Sequence, residues 1–243
     1  MKMPWNIIKF TALIGLVVFL FGFSKQRNEQ RKLAKIDIDF VDENSPFITL
    51  KSVNKLLIQN EDSVTSIGKE TLVLNKIENR LLKHPMIKNA DVYVSIDGVL
   101  GTKIEQRQPI ARITGSPDFY LDEEGKKMPL SEVYTARVPI VTGVSKTEFS
   151  ELKELILKIN ADEFMMKSVV GCHLESNGDI NLKIRKHDFT VLFGKPIDIK
   201  NKFQNFKAFY KKTKEDSLLS RYKLVNLKYN NQVVATKKLS HGE

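Results

Sequence analysis

The first apolar segment of the chain is an uninterrupted run. Residues 10–23 contain no charged side chain, and Trp5 and Lys9 precede them. A helix over residues 5–23 would extend roughly 28 Å, close to the hydrocarbon thickness of a bilayer, about 30 Å. This pattern predicts an uncleaved transmembrane helix over 5–23, with a short tail (1–4) before it and a polar linker (24–35) after it. The alternatives are a cleaved signal peptide and a buried core helix, but residues 22–24 contain no convincing cleavage site.

From residue 36 the pattern becomes periodic. Apolar and polar residues alternate over 36–40, which predicts a strand. Two amphipathic helices follow: Thr49 is expected to cap the first. Asn75 and Glu78 are expected to form a capping box in the second, which ends at His84 and Pro85. The order of elements so far is β-α-α.

Turn signals organise the remaining pattern. Asp97-Gly98 and Asn177-Gly178 each separate two alternating segments, as in two-residue hairpins. Asn230-Asn231 is a plausible closing turn. Residues 122–125 form an acidic tip between two short strands, and Ser145 is expected to begin a helix with Glu148. The predicted elements after the first unit are strands 119–121, 127–129, 138–141, 169–175, 180–185, 189–193, 223–229 and 232–236, with helices near 149–159 and 198–210.

These elements predict an α+β protein with two domains after the anchor. The first, β-α-α-β-β, covers 36–113, with two helices against one small sheet. The second covers 114–237, a mostly antiparallel β domain with flanking helices, and a tail follows over 238–243. No repeats or low-complexity segments are present.

Charge is concentrated near the N-terminus. The chain carries 39 Lys and Arg against 29 Asp and Glu, a net charge of +10. Residues 1–35 hold seven basic residues and one acidic residue, so only +4 remains for the other 208 residues. A body built to neutralise nucleic-acid phosphates is therefore disfavoured. Most of the N-terminal charges follow the apolar run, so the positive-inside rule would leave the large domain in the cytoplasm, although long domains can translocate regardless of charge.

Candidate chemistry is weak. Cys172 is the only cysteine, which rules out an internal disulfide framework, and no metal-binding spacing of Cys and His is present. Cys172 and His173 are adjacent in a predicted strand, so their side chains should lie on opposite faces and form no dyad. The acidic residues 122–124 are interpreted as a solvated turn. The last helix could contact anionic lipid or nucleic acid through its lysines, but it is interpreted as docked by Phe203 and Phe206 with the lysines in solvent. These lysines are Lys200, Lys202, Lys207, Lys211, Lys212 and Lys214. We predict no catalytic residue, cofactor, metal or small-molecule substrate.

Residues 74–111 carry a resemblance. A helix ending at His84 and Pro85 leads to a strand with Ala90 and Val92, and a closing segment contains Arg107, Pro109 and Ala111. This order resembles the POTRA domain of the FtsQ/DivIB family of bacterial cell-division proteins. Met86 and Gln106 depart from the family pattern, which has an aromatic residue and Glu at these positions. Further segments are similar to the family's second domain, namely 119–125, 138–143, 225–229 and 232–235.

The resemblance implies a non-enzymatic divisome scaffold. It implies a single-pass type II protein of the cytoplasmic (inner) membrane, with most of the chain extracytoplasmic and enriched at the septum. It also implies a POTRA domain (36–113) that takes part in recruitment and an FtsQ-type β domain (114–237) that binds FtsB- and FtsL-like partners. The last strand would receive a partner strand, with contacts from Tyr229, Gln232, Val233, Val234, Ala235 and Thr236. The rival interpretations are a membrane-anchored extracytoplasmic hydrolase and a POTRA-bearing envelope-assembly factor.

Overall fold

The computed structural model of the chain describes residues 5–29, 33–42, 46–58, 74–143, 149–230 and 232–238. The chain divides into two compact units, Met1–Gln106 and Arg107–Glu243. The predicted cap at Ser145 and Glu148, the N-terminal tail, Asn231 and most of the C-terminal tail lie outside the described residues.

The structure contains six helices and twelve strands in its described residues. The helices are α1 (Trp5–Glu29), α2 (Leu50–Leu57), α3 (Leu74–Leu82), α4 (Phe149–Ala161), α5 (Glu163–Ser168) and α6 (Ile199–Glu215). The strands are β1 (Lys35–Phe40), β2 (Ile87–Val94), β3 (Val99–Gln106), β4 (Pro109–Ile113), β5 (Phe119–Asp122), β6 (Lys127–Pro129), β7 (Ile140–Thr142), β8 (Val169–Leu174), β9 (Ile180–Ile184), β10 (Thr190–Gly194), β11 (Tyr222–Asn226) and β12 (Val234–Lys237). A short 3-10 helix, Leu219–Arg221, precedes β11.

Helix α1 is apolar and uncovered. Its segment Ile8–Arg27 is long and apolar enough to cross a membrane, and none of it is buried in the protein. The helix continues to Glu29, beyond the predicted end at residue 23. The predicted linker over 24–35 therefore begins as helix, since polar residues 24–29 satisfy their backbone groups within the same helix and need no apolar environment.

The first unit has the predicted β-α-α-β-β order. Its sheet order is β1-β3-β2, with β1 parallel and β2 antiparallel to β3. Both helices contribute buried side chains to the core beneath the sheet, among them Val53 and Leu81. Thr49 caps α2 as predicted, because its Oγ1 accepts a hydrogen bond from the Ser52 N–H at 3.1 Å. The predicted exposed and half-buried alternation is present along β1.

The capping box expected in α3 is absent from the described residues. Asn75 lies within the helix, and the Glu78 carboxylate accepts a hydrogen bond from the Val92 N–H of β2 at 3.0 Å. Because β2 is an edge strand among the described residues, its Val92 N–H has no neighbouring strand to bond to, and the Glu78 carboxylate accepts its hydrogen bond instead. Tertiary packing therefore uses this side chain where the local pattern predicted a cap.

Two predicted hairpins use longer turns than expected. At the first, the Ser95 N–H donates to the Val99 carbonyl at 2.9 Å, so the turn spans three residues, 96–98. At the second, the Glu175 N–H donates to the Asp179 carbonyl at 2.8 Å, again enclosing three residues. In each turn the last residue is a glycine at positive φ, which matches a three-residue loop with a left-handed final position.

The second unit is built on one nine-stranded sheet. Its order is β12-β11-β10-β9-β8-β7-β4-β5-β6. Five neighbouring pairs are antiparallel and three are parallel, so the sheet is mixed but mostly antiparallel. Helices α4, α5 and α6 supply buried side chains to its core, including Leu155, Met165 and Phe206. Helix α5 was not predicted, because six residues are too few to show a helical period.

The boundary between the units differs from the prediction. We expected the first domain to end at 113, but the contacts divide the chain between Gln106 and Arg107. The reason is β4, which lies between β5 and β7 in the sheet of the second unit. Because both of its hydrogen-bonded neighbours are strands of the second unit, β4 belongs to that unit.

Candidate partner-binding edge

Strand β12 lies at one end of the nine-stranded sheet and pairs only with β11 among the described strands. The pairing is antiparallel and aligns Asn226 with Val234 and Val225 with Ala235. The irregular position falls in β11, between Tyr222 and Leu224, so β12 itself is regular.

The direction of the backbone groups of β12 follows from one hydrogen bond. The Lys238 N–H donates to the Arg221 carbonyl at 2.7 Å, so residue 238 faces β11. Because the hydrogen-bonding groups of successive residues point to opposite sides of a strand, Val234 and Thr236 also face β11. The N–H and C=O groups of Ala235 and Lys237 face away from the sheet. These are the groups that an added strand would use.

The strand begins later than predicted. It covers Val234–Lys237 rather than 232–236, because β11 ends at Asn226, whose Oδ1 accepts the Lys228 N–H at 2.9 Å. Gln232 is exposed, and Val233 packs partly against the core before the strand starts. Lys237, expected beyond the strand, is its last residue. The edge therefore carries one charge.

Two of the exposed side chains around β12 are large and apolar. Tyr229 is 53% exposed and Val234 is 43% exposed, both high for residues of this type. Ala235 is half-buried and Thr236 is exposed. Of the six predicted contact residues, Val234, Ala235 and Thr236 lie in the strand, whereas Tyr229, Gln232 and Val233 lie in the segment leading to it.

The resemblance residues of the first unit determine its fold. The His84 carbonyl accepts from the Ile87 N–H at 3.0 Å, which closes the turn between α3 and β2. Burial lowers the pKa of His84. Pro85 is exposed in this turn, and Ala90 and Val92 are buried in the core. None of these four residues is placed as a ligand-binding group.

The remaining resemblance residues, assigned above to the first domain, belong to the second unit. Pro109 begins β4, and Ala111 is fully buried in the core beneath the large sheet. The Arg107 guanidinium lies 2.7 Å from carboxylate oxygens of both Asp122 and Glu124. The Asp122 side chain is only 3% exposed. The prediction of a fully solvated acidic turn is therefore wrong for Asp122, which forms a buried ion pair with Arg107.

Glu124 differs from Asp122 in its surroundings, because it is at the surface. Hydrogen bonds from Lys126 and Arg107 lower the pKa of Glu124 to about 2. The carboxylate is therefore ionised well below the usual range for glutamate. This pair of acids orders the hairpin of β5 and β6 around one arginine.

Sequence reasoning treated Gln106 only as a departure from the family pattern. Its Oε1 accepts hydrogen bonds from the backbone N–H groups of Phe47 and Ile48, at 2.8 and 3.2 Å. Its Nε2 donates to the Asp42 carbonyl at 3.4 Å. A carboxylate could accept the first two bonds but could not donate the third. Glutamine thus fastens the segment before α2 to the end of β3.

Cys172 and His173 lie on opposite faces of β8, as predicted. Cys172 is in the core, and burial raises the pKa of its thiol to about 12. His173 is on the open face of the sheet, where its Nδ1 lies 2.8 Å from the Thr142 hydroxyl. The Cys172 thiol and the His173 imidazole therefore do not form a catalytic dyad. Among the described residues, no group of three or more His, Cys, Asp and Glu side chains is arranged to hold a metal.

Comparison with known proteins assigns both units. Residues 108–236 match the family model described as FtsQ/DivIB, C-terminal related, and residues 32–105 match a POTRA-like domain. The cell division protein FtsQ of Geotalea daltonii is 26% identical over 185 residues, which cover 68% of this chain. The aligned region spans 64% of that relative's length. The two matches fall on either side of the structural boundary after Gln106.

Proposed function

The chain belongs to the FtsQ/DivIB family, and we propose that it is a non-enzymatic scaffold of cell division, anchored in the membrane by α1. The family match supports a role in division, and the uncovered apolar helix α1 supports the anchor. Its partners in this proposal are FtsB- and FtsL-like division proteins. The second unit holds them, and the POTRA-like unit takes part in recruitment.

The observation that carries the proposal is the open edge at β12. An extended segment of a partner can add to a sheet edge through backbone hydrogen bonds, with side-chain contacts providing specificity. The outward groups of Ala235 and Lys237 supply the bonds, and Val234 and Tyr229 supply exposed apolar surface. The opposite edge, β6, is only three residues long and includes Pro129, which has no N–H to donate.

The register of β12 specifies the experiment. Ala235→Pro removes an outward N–H, whereas Thr236→Pro removes one that faces β11. Ala235→Pro should leave the circular dichroism and melting of the full chain near wild type while weakening binding of an FtsB-derived peptide at least tenfold. Thr236→Pro should disturb the end of the sheet itself. An Ala235→Pro protein that folds and binds like the wild type would contradict strand addition at this edge.

Two controls separate the backbone from side chains. Ala235→Ser keeps the outward N–H and changes the side chain little, so binding should be retained. Lys237→Gln removes the charge of the edge and also keeps its N–H. If Lys237→Gln weakens binding as much as Ala235→Pro, the contact is electrostatic rather than strand addition.

The proposed orientation places both units outside the cytoplasm. This follows the family resemblance and runs against the basic residues after α1. Protease added to spheroplasts should remove a C-terminal tag while α1 keeps the remaining fragment in the membrane. A protected tag, with a periplasmic control protein digested, would establish the reverse orientation.

A further inference from the structure

Helix α6 carries a row of lysines along one flank, beside its buried side. We define the lysine stripe as Lys200, Lys207, Lys211 and Lys214. At 100° per residue these four positions fall within about 60° of one another, along roughly 21 Å of helix. Phe203 and Phe206 pack against the core, and the same geometry places them about 20° and 80° from the edge of the stripe, which therefore borders the buried side of the helix. The row is therefore a continuous feature of one surface.

The stripe accounts for much of the charge of the second unit. Residues 107–243 contain 24 Lys and Arg against 17 Asp and Glu, a net charge of +7. The 17 residues of α6 hold six lysines and one glutamate, a net charge of +5. One of the six, Lys202, is buried and donates to the Phe193 and Lys195 carbonyls, so it does not contribute to the surface.

Three lysines of the stripe have no acidic partner among the described residues. Lys200, Lys211 and Lys214 are exposed, and the described ion pairs include none of them. Lys207 differs, because it pairs with Asp162, the residue that caps α5. Gln204 and Ala208, also exposed on this side, add no apolar bulk, and Glu215 at the end of the helix adds one negative charge. The surface is suited to electrostatic contact rather than insertion.

We propose that the lysine stripe lies against anionic lipid headgroups of the membrane that holds α1. A straight row of charges along a helix can meet a planar surface with all its members at once. Helix α1 keeps the chain at a membrane, so the headgroups are present at high local concentration. Lysines near an anionic leaflet each strengthen the contact roughly fivefold, and the contact is screened by salt. The inference needs the anchor only and is independent of the division partners.

The test uses the full chain reconstituted in vesicles, with a fluorescent label on Ala208→Cys beside the stripe. Cys172 is buried and should not react, and unmutated protein serves as the labelling blank. Energy transfer from the label to acceptor lipids is measured in phosphatidylcholine vesicles and in mixtures with phosphatidylglycerol. Transfer should be higher in the anionic vesicles and fall to the phosphatidylcholine level near 1 M salt, where the Debye length is about 3 Å.

Two charge-matched variants decide the assignment. Lys200→Gln/Lys211→Gln/Lys214→Gln should weaken the contact roughly 100-fold and reduce transfer to the phosphatidylcholine level. Lys183→Gln/Lys186→Gln/Lys223→Gln removes the same charge from exposed positions outside α6 and should leave transfer unchanged. Equal transfer in both vesicle types, or equal loss in both variants, overturns the proposal. The proposal is also overturned if energy transfer to lipid stays low while the fluorescence of the label changes on addition of soluble polyglutamate. That result would indicate that the stripe binds an acidic protein.

Discussion

At the scale of single residues, the positions that carry the family resemblance act on the backbone and the core. Gly143 ends the segment 138–143 at φ +77, and a Cβ there would clash with the Leu174 carbonyl oxygen. Arg107 neutralises a buried carboxylate, and His84 closes a turn. Motif residues of this kind specify the fold that presents the edge, rather than the contact surface itself.

Gly143→Ala should strongly destabilise the second unit. The substitution combines a left-handed backbone with a clash against backbone, and we expect a loss of at least about 2 kcal/mol in the free energy of unfolding. Gly125→Ala is the matched control, because Gly125 has φ +83 but its added Cβ would meet only the flexible Lys153 side chain at 3.5 Å. Thermal melts that show equal losses for both variants would refute the role of the close approach.

Arg107→Ala should leave Asp122 buried without its cation. Removing one partner of a buried pair commonly costs about 3 kcal/mol or more. The control is Arg112→Ala on β4, whose pair with Asp118 is more exposed and should contribute much less to stability. Denaturant unfolding of the two variants tests the difference. A similar small loss in both would show that the Asp122 carboxylate finds water or another partner.

The pH dependence of the tip follows from Glu124. Its pKa is lowered from 4.5 to about 2 in the folded chain, so ionised Glu124 favours the folded state above pH 4.5. This contribution should be lost as the pH falls from 4.5 through 2. The difference in melting temperature between wild type and Glu124→Gln should therefore shrink over that interval. In Lys126→Ala, carbon NMR should find the Glu124 pKa closer to 4.5.

At the scale of elements, the two units treat their sheet edges differently. The edge strand β2 has its Val92 N–H bonded to Glu78 of α3, and β1 alternates its apolar residues with Lys35, Asp37 and Asp39. Strand β12 is bonded on one side and has a single lysine. Edges normally need protection against unwanted pairing. The least protected edge of the large sheet is therefore the best place for an added strand.

Glu78→Ala should destabilise the first unit by about 1–3 kcal/mol, because the Val92 N–H is left without its charged acceptor. Glu78→Gln keeps an oxygen that can accept this bond and should lose less. Hydrogen exchange at Val92 gives a second readout, since its amide should exchange faster in Glu78→Ala than in Glu78→Gln. Unchanged exchange in both variants would show that packing, rather than this bond, protects the edge.

At the scale of the whole molecule, the boundary after Gln106 determines which fragments can fold. Strand β4 lies between β5 and β7, and it brings Ala111 into the core. A fragment of residues 107–243 should fold with a cooperative melt. A fragment of residues 114–243 lacks an internal strand and should not. Cooperative melting of both fragments would show that β4 is dispensable and that the boundary belongs nearer 113.

Much of the local structure could be predicted from the sequence. The period of apolar residues identified the elements of the first unit, and Thr49 marked the start of α2. The presence of a last strand was also predictable, because Asn230 and Asn231 mark a turn before residues 232–236. Its bounds were not, because they depend on where β11 turns away at Asn226.

The sequence by itself therefore determined the apolar helix, the order of most elements and the presence of two units, because these depend on patterns among neighbouring residues. The tertiary structure decided the partners of Glu78, Gln106 and Arg107 and the place of β4. It also decided which N–H groups of β12 face outward. These features join segments that are distant in the chain. A polar side chain such as Glu78 can form several different hydrogen bonds, and only the packing of the chain decides which partner lies within reach.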